Sequence, residues 1–119
     1  MNCLALVLLA IMIQSEAPNE PYDGKLAVAY VAINRAEKSG KSLIEVLQQH
    51  RQFHLNPYVR ISEVSQIVAR RALDRLEPDP SNGADHFYNA SVKPLPPWYD
   101  EQYITAQIGR HTFLKLGGF

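Results

Sequence analysis

The chain of 119 residues has the length of a single domain. Its apolar content of 46% and charged content of 20% are typical of a globular protein and exclude a disordered one. Twelve basic residues balance twelve acidic ones, so the basic excess of proteins that bind nucleic acids or anionic membranes is missing. The only cysteine, Cys3, excludes an internal disulfide, and we expect it to be a small buried apolar side chain.

The chain opens with an uninterrupted apolar run at residues 3–13. This run is shorter than the roughly 20 residues of a membrane-spanning helix, but it has the length of a signal-peptide core. No Lys or Arg precedes it, and a cleavage site read at residues 15–17 would leave Pro18 directly after the cut. The other interpretation is a helix that is apolar on all sides, buried at the centre of the fold, and ended by Pro18 and Pro21. We favour the helix, and the signal segment is the alternative.

Glu16 closes this predicted helix and is the first candidate catalytic residue. Leu9, Met12 and Ile13 share its face at helical spacing, so the carboxyl group leans against apolar side chains. Burial and the negative end of the helix dipole should both raise its pKa. A carboxylic acid that stays protonated near neutral pH suits general-acid catalysis. The alternative is a glutamate at a helix end that turns to solvent.

Three further helices are predicted before residue 77. Asp23 can cap a second helix that runs from about Gly24 to just before Gly40. Residues 42–45 have the capping-box pattern and begin a short third helix that ends near Gln49. A fourth, amphipathic helix is predicted by apolar residues at helical spacing: Ile61, Val64, Val68, Ala72 and Leu76.

The last third of the chain has a different character. Residues 77–85 are rich in turn formers, and the aromatic segment 86–89 is typical of a strand. Residues 91–101 form a proline-rich loop, and residues 103–116 alternate around Gly109 as a bent strand or a hairpin. The sequence therefore predicts one α+β domain over residues 1–119, mainly helical, with a small antiparallel β element near the C-terminus.

Metal and nucleophile chemistry find little support in the sequence. His50 and His54 are four residues apart, but the glutamate of the H-E-x-x-H pattern is missing and both lie in a predicted loop. No cysteine or carboxylate cluster completes a zinc set with His86 and His111. There is no G-x-S-x-G and no glycine-rich phosphate loop. We therefore predict neither a metal nor a cofactor.

A second catalytic carboxylate could come from Glu20 or Asp23, as ordinary glycosidases need a pair. We favour the simpler roles of a turn organiser for Glu20 and a helix cap for Asp23.

Aromatic side chains of the second half suit a sugar-binding groove, since aromatic faces match the C–H surfaces of pyranose rings. They are accompanied by the polar residues Gln52 and Asn89, which suit sugar hydroxyls. The alternative for Phe53 and Tyr88 is packing beneath the loops. The aromatic candidates are Phe53, Tyr88, Trp98 and Tyr99.

Several separated blocks of the chain, taken in order, resemble the spore-cortex-lytic and cell-wall hydrolase family. The first is SEAPNEPYDGKLAVAYVAINR at residues 15–35, which looks like the signature of that family. It is followed by QFH at residues 52–54 and by GADHFYN at residues 83–89. PPW at residues 96–98 and IGRHTFLK at residues 108–115 complete the resemblance.

The resemblance implies a lysozyme-like fold and a lytic transglycosylase or muramidase activity. The substrate would be the bond between N-acetylmuramic acid and N-acetylglucosamine in peptidoglycan glycan strands, cleaved without a cofactor. Glu16 falls on the catalytic glutamate of the family, and Gln52, Tyr88 and Asn89 fall on motif positions that line the cleft. A single carboxylate suffices if the C6 hydroxyl of muramic acid is the nucleophile, and water is the alternative nucleophile.

The resemblance has two departures and some wider implications. Asn19 stands where members usually have Gly, and Pro18 stands where Pro is unusual. The resemblance implies that Leu4–Glu16 is the first core helix, kept in the mature protein. A domain of this size suits a phage lysis or virion-associated enzyme that acts in the periplasm or cell wall, with other virion or lysis proteins as partners. The alternative is a non-catalytic glycan-binding or structural virion component.

Overall fold

The computed structural model describes residues 3–49 and 53–118. The helices predicted from the sequence, the strand at residues 86–89 and a hairpin around Gly109 are all present, which confirms the α+β class. The described elements in chain order are α1 (Cys3–Glu16), α2 (Tyr22–Ser39), α3 (Leu43–Gln48), α4 (Glu63–Leu73), β1 (His86–Asn89), a 3-10 helix (Glu101–Tyr103), β2 (Ile104–Ile108) and β3 (His111–Leu114).

Helix α2 is the centre of the fold and is buried without interruption over residues 24–35. Its alanines, Ala27, Ala29 and Ala32, are fully buried and leave room for α1, α3 and α4 to approach it closely. Gly40 ends the helix in a left-handed conformation (φ 72°), as predicted.

The start of α2 differs from the prediction, and the expected cap by Asp23 is wrong. The first helical backbone bond runs from the Lys25 N–H to the Pro21 carbonyl, 3.0 Å apart, so the chain is already helical at Tyr22. Asp23 therefore lies in the first turn, where its negative charge faces the positive end of the helix dipole.

Helix α1 is buried on one side only, so the prediction of burial on all sides is wrong. The other helices cover the side that carries Met12 and Ile13, and both of these are fully buried. Leu4 and Val7 face outward and are 51% and 49% exposed. Cys3 is exposed as well, because it lies in the uncovered first turn, which corrects its predicted burial. Within the part of the chain that the structure describes, no helix is long and apolar enough to cross a bilayer.

Side-chain caps begin the two shorter helices. The Ser42 hydroxyl accepts from the Glu45 N–H at 3.1 Å, and the Glu45 carboxylate accepts from the Ser42 N–H at 3.2 Å, which is the predicted capping box. Ser62 caps α4 by accepting from the Ser65 N–H. These local contacts explain why short helices form at these positions.

The predicted apolar stripe of α4 is only partly buried. Val68 and Ala72 are fully buried, but Val64 is 44% exposed. Leu76 lies beyond the end of the helix and is 60% exposed, because the chain leaves the helical conformation at Arg75 (φ 54°). The stripe prediction was therefore wrong for Val64 and Leu76.

The sheet has the strand order β1-β3-β2, with both pairs antiparallel and β3 buried along its whole length. Asn89 at the end of β1 pairs with His111, and His111 also pairs with Ile108 across the hairpin. A bulge lies between Ile104 and Ala106. This register brings the end of β1 beside the hairpin turn.

A buried carboxylate, Asp85, joins the sheet to the end of α2. It accepts from the backbone N–H groups of Leu116 and Gly117 at 2.8 and 2.9 Å, and it lies 2.7 Å from His86 Nδ1. Lys38 donates to it at 3.1 Å. Burial by itself would raise the pKa of Asp85, but these hydrogen bonds outweigh burial and lower the pKa to about 2.

We expect Asp85→Asn to destabilise the fold near neutral pH by about 2 kcal/mol, because the ionised carboxylate is the form that the native contacts favour. A lowered native pKa contributes stability above the unfolded value of 3.8, and this stability is lost as the pH falls toward about 2. Urea unfolding at pH 5 and at pH 2.5 measures the effect. The gap in the free energy of unfolding between wild type and variant should be smaller at pH 2.5 than at pH 5. Asp74→Asn, at an exposed helix end, is the control. A gap that is constant with pH would contradict this role.

Candidate active site

Glu16, the last residue of α1, lines a small pocket of about 60 Å³ between the α1–α2 linker and the β2–β3 turn. Three separate parts of the chain form this pocket, which is open to solvent on the linker side, where Pro18 and Asn19 are exposed. The residues around it are Glu16, Pro18, Asn19, Glu20, Asn89, Arg110 and His111.

The environment of Glu16 favours its protonated form. The side chain is half-buried, and Met12 and Ile13, one turn earlier on its helix face, are fully buried. Burial raises the pKa of Glu16, while the backbone N–H of His54 and the nearby His54 charge lower it. Burial is the larger effect, so the pKa is raised, in the direction predicted from the sequence.

Glu20 lines the same pocket, but its carboxylate is buried and bound to the hairpin through Oε1. Its side chain is 6% exposed, and Oε1 accepts from the Arg110 N–H at 2.7 Å and lies 3.0 Å from His111 Nδ1. The His111 ring in turn packs edge-on against Phe87, with the ring centres 5.3 Å apart. Glu20 thus organises the linker against the hairpin, the role favoured from the sequence, and is not poised as a second catalytic carboxylate.

Asp23 lies outside the Glu16 pocket. It is exposed and lines a different groove, together with Glu77 and Asp79. The candidates for a carboxylate pair, Asp23 and Glu16, are therefore not brought together in one pocket.

The predicted aromatic residues of the last third form one cluster around Tyr88. Tyr88 packs edge-on against both Trp98 and Tyr99, with ring centres 6.1 and 5.6 Å apart. Trp98 also packs against the His86 ring, with the ring centres 4.9 Å apart, and is 38% exposed. Asn89, the next residue after Tyr88, lines the pocket itself. Tyr88 and Asn89 are neighbours in β1, so their side chains point to opposite faces of the sheet.

Phe53 occupies a different environment from the other aromatic candidates. It is buried in the core, where it stacks on Phe87 at 6.4 Å and lies 4.9 Å from the Arg35 guanidinium. Its position is that of a side chain packed under a loop, the alternative considered from the sequence. Gln52 and His50 lie outside the described residues.

Two residues of the pocket, Arg110 and His111, were not singled out as site residues from the sequence. The signal was present in the hairpin around Gly109, because a tight turn next to the end of β1 brings the residues after the glycine toward Asn89. Detecting it required the strand register, which alternation alone does not define.

Metal ligation has no cluster to support it in the described ranges. No group of three or more His, Cys, Asp or Glu side chains there is arranged to hold a metal ion. The functional groups of the pocket lining are two carboxyl groups, two amides, an arginine and a histidine, from Glu16, Glu20, Asn19, Asn89, Arg110 and His111.

A comparison with protein families gives a match over residues 19–114 to the family model described as Cell Wall Hydrolase. Among solved structures, the catalytic domain of the germination-specific lytic transglycosylase SleB from Bacillus anthracis has a TM-score of 0.82 at 23% identity and covers 97% of both chains. The catalytic domain of the Bacillus cereus SleB protein has a TM-score of 0.75 at 25% identity, covering 93% of this chain and 89% of that one. A search of curated proteins gives no match. The mainly helical, lysozyme-like fold is thereby confirmed.

We expect the carboxyl group of Glu16 to titrate above 4.5, the ordinary value for a glutamate, because burial disfavours its charge. Carbon-13 NMR of the side-chain carboxyls measures the midpoint, and the signal missing from Glu16→Gln assigns it. A raised native pKa contributes stability that is present at low pH and lost as the pH rises through that pKa. The free energy of unfolding of Glu16→Gln, minus that of wild type, should therefore be larger at pH 7 than at pH 4. A midpoint at or below 4.5 would contradict this environment.

We expect Gly109→Ala to loosen the hairpin from the linker. An added Cβ would lie 2.5 Å from Glu20 Oε1, which is a steric clash. The backbone φ of +57° is also unfavourable for alanine. The cost should be about 2 kcal/mol or more in urea unfolding. Gly40→Ala is the matched control, since its φ is +72° with nothing within 4 Å, and it should cost about 1 kcal/mol. Equal costs for the two variants would mean that the Glu20 contact does not constrain the turn.

Proposed function

Because this chain belongs to the cell wall hydrolase family, we propose that it cleaves the glycan strands of peptidoglycan as a lytic transglycosylase, with Glu16 as its catalytic acid and base. The observation that carries the proposal is the half-buried Glu16 carboxyl with a raised pKa, set in a pocket of the fold. The solved SleB domain from Bacillus anthracis, which has the same fold, is a germination-specific lytic transglycosylase. The family match begins at Asn19, so the case for Glu16 itself rests on its pocket, its raised pKa and the resemblance of residues 15–35.

The proposed reaction begins with Glu16 in its protonated form. Its proton passes to the glycosidic oxygen as the bond from that oxygen to C1 of N-acetylmuramic acid breaks. Positive charge then develops on the sugar ring, and the new Glu16 carboxylate lies next to it. Burial favours this sequence, because it keeps Glu16 protonated closer to neutral pH than an exposed glutamate would be.

The second half of the reaction uses a nucleophile within the substrate. The Glu16 carboxylate takes the proton of the C6 hydroxyl of the same muramic acid, and the hydroxyl oxygen bonds to C1 and closes an anhydro ring. Glu16 is protonated again, and no water is consumed. This route is supported by the placement of the other carboxylates, since Glu20 is bound to the hairpin and Asp23 faces another groove.

We assign substrate binding to Asn89 in the Glu16 pocket and to the aromatic cluster of Tyr88 and Trp98. The exposed face of Trp98, packed against Tyr88, offers a platform for a sugar ring. Asn89 offers an amide for sugar hydroxyls or the N-acetyl group. Gln52 is assigned to the cleft on the family resemblance alone, and Phe53, buried in the core, would support the loop from beneath.

An alternative is that the domain binds glycan or serves as a virion component without turnover. The observation on its side is the exposed Pro18 in the pocket lining, next to the residue after Glu16. Action in the periplasm or cell wall, a phage origin and virion or lysis partners stay predictions from the sequence.

The decisive test is mass spectrometry of fragments released from purified peptidoglycan by wild type, Glu16→Gln and Asp23→Asn. Wild type should release fragments with anhydro-muramic ends, and Glu16→Gln should lower the rate by roughly 10²- to 10⁴-fold, the usual range for a lost general acid or base. Asp23→Asn is the control and should retain the wild-type rate, because Asp23 lies outside the pocket.

Other outcomes would change the assignment in defined ways. Reducing muramic ends would make water the nucleophile. A loss of activity in Asp23→Asn as large as in Glu16→Gln would contradict the single-carboxylate mechanism. Binding without release by folded wild type would favour the non-catalytic alternative.

A further inference from the structure

A buried lysine of α2, Lys25, lies directly behind the segment that follows Glu16. Lys25 is 5% exposed, and its ammonium donates to the Ala17 carbonyl at 2.8 Å, to Ser65 Oγ at 3.0 Å and to the Pro18 carbonyl at 3.4 Å. An ammonium group carries three N–H donors, so each can be matched to one of the three oxygens. No pattern in the sequence singled out this residue.

The burial of this cation has a cost that its hydrogen bonds help to offset. Burial lowers the pKa of Lys25, and the charge of Glu20 opposes that change. A buried charge is tolerated where it is paired or fully hydrogen-bonded. The neutral amine has only two N–H groups and would leave one of the three oxygens without a donor. The contacts therefore fit the charged form.

The acceptors of Lys25 place it at the end of α1. The Ala17 N–H still bonds to the Ile13 carbonyl at 2.8 Å, so Ala17 continues the last helical turn and its own carbonyl is one of those a helix end leaves unpaired. A cation at this point satisfies that carbonyl and opposes the negative end of the dipole. Ala17 and Pro18 directly follow Glu16, so the backbone that carries the carboxyl group is held on this side.

The same contact also reaches the residues before Glu16. Ser65, which is fully buried at the start of α4, donates its hydroxyl to the side-chain oxygen of Gln14 at 2.8 Å. The Ser62 N–H donates to that oxygen at 3.1 Å. Lys25 and Ser65 thus connect the chain before Glu16 with the chain after it.

We propose that Lys25 is a positioning residue that fixes the backbone around Glu16 through the carbonyls of Ala17 and Pro18 and through Ser65. The inference rests on the proposed function. Lys25 holds the near end of the linker, while Glu20, bound to the hairpin turn, holds the far end. With both ends held, the Glu16 carboxyl keeps one position relative to the pocket.

The test compares Lys25→Met, Ser65→Ala and Val31→Ala. Lys25→Met keeps the apolar stem and removes all three donors. Ser65→Ala removes the hydroxyl that accepts from Lys25 and donates to Gln14, but leaves the two carbonyl acceptors of Lys25 in place. Val31→Ala is the control, since Val31 is fully buried in α2 and its apolar side chain makes none of these hydrogen bonds. The variant should therefore lower stability without releasing the linker. Far-UV circular dichroism and thermal unfolding establish that each variant is folded at the assay temperature.

Two readouts separate positioning from stability. We expect kcat on purified peptidoglycan to fall roughly 10- to 100-fold in Lys25→Met with KM within about twofold of wild type, because a displaced acid slows the chemical step more than binding. The loss of kcat should be smaller in Ser65→Ala than in Lys25→Met, and Val31→Ala should keep the wild-type kcat. Hydrogen exchange at the Ala17 and Glu20 amides should be at least about tenfold faster in Lys25→Met and unchanged in Val31→Ala.

The proposal is overturned if kcat and exchange in Lys25→Met match wild type, or if Val31→Ala loses as much kcat as Lys25→Met does. If Lys25→Met does not fold, Ser65→Ala decides by the same two readouts. Failure of wild type to release any fragment would refute the proposed function, whereas an active wild type with an equally active Lys25→Met would refute only the role of Lys25.

Discussion

The contact of the Glu20 carboxylate with the β2–β3 turn connects the helical part of the fold to the sheet at the pocket. Glu20 follows α1 closely, and its partners, Arg110 and His111, are about 90 residues later in the chain. A buried carboxylate without these donors would be costly, so the linker and the turn are stable only together. The pocket around Glu16 exists because this contact holds its two walls in place.

The properties of Glu16 follow from where α1 ends. The helix stops at the edge of the core, so the carboxyl group is half-buried rather than enclosed, and its pKa is raised by burial and moderated by His54. A fully enclosed carboxyl could not reach a polymer, and a fully exposed one would lack the burial that raises the pKa of Glu16. Residues behind the linker, such as Lys25, are free to be polar because the helix end supplies carbonyls for them.

Much of the fold could be predicted because its signals are local. The capping box at Ser42 and the glycine at position 40 define helix ends through neighbouring residues alone. The exposure of Cys3 could not be predicted, because it depends on which side of α1 the other helices cover. For the site, Glu16 could be selected from its apolar helix face, whereas the Lys25 and Glu20 contacts join distant segments and leave no periodic pattern in the sequence.

The strand order of the sheet affects when the pocket can exist during synthesis. β3 lies between β1 and β2, so neither outer strand has its partner until residues 111–114 have emerged from the ribosome. The helices come earlier in the chain and can pack first, but Glu16 then faces solvent with one wall of its pocket missing. During synthesis Glu16 is therefore present long before the pocket can be completed, because the pocket also needs the β2–β3 turn near the end of the chain.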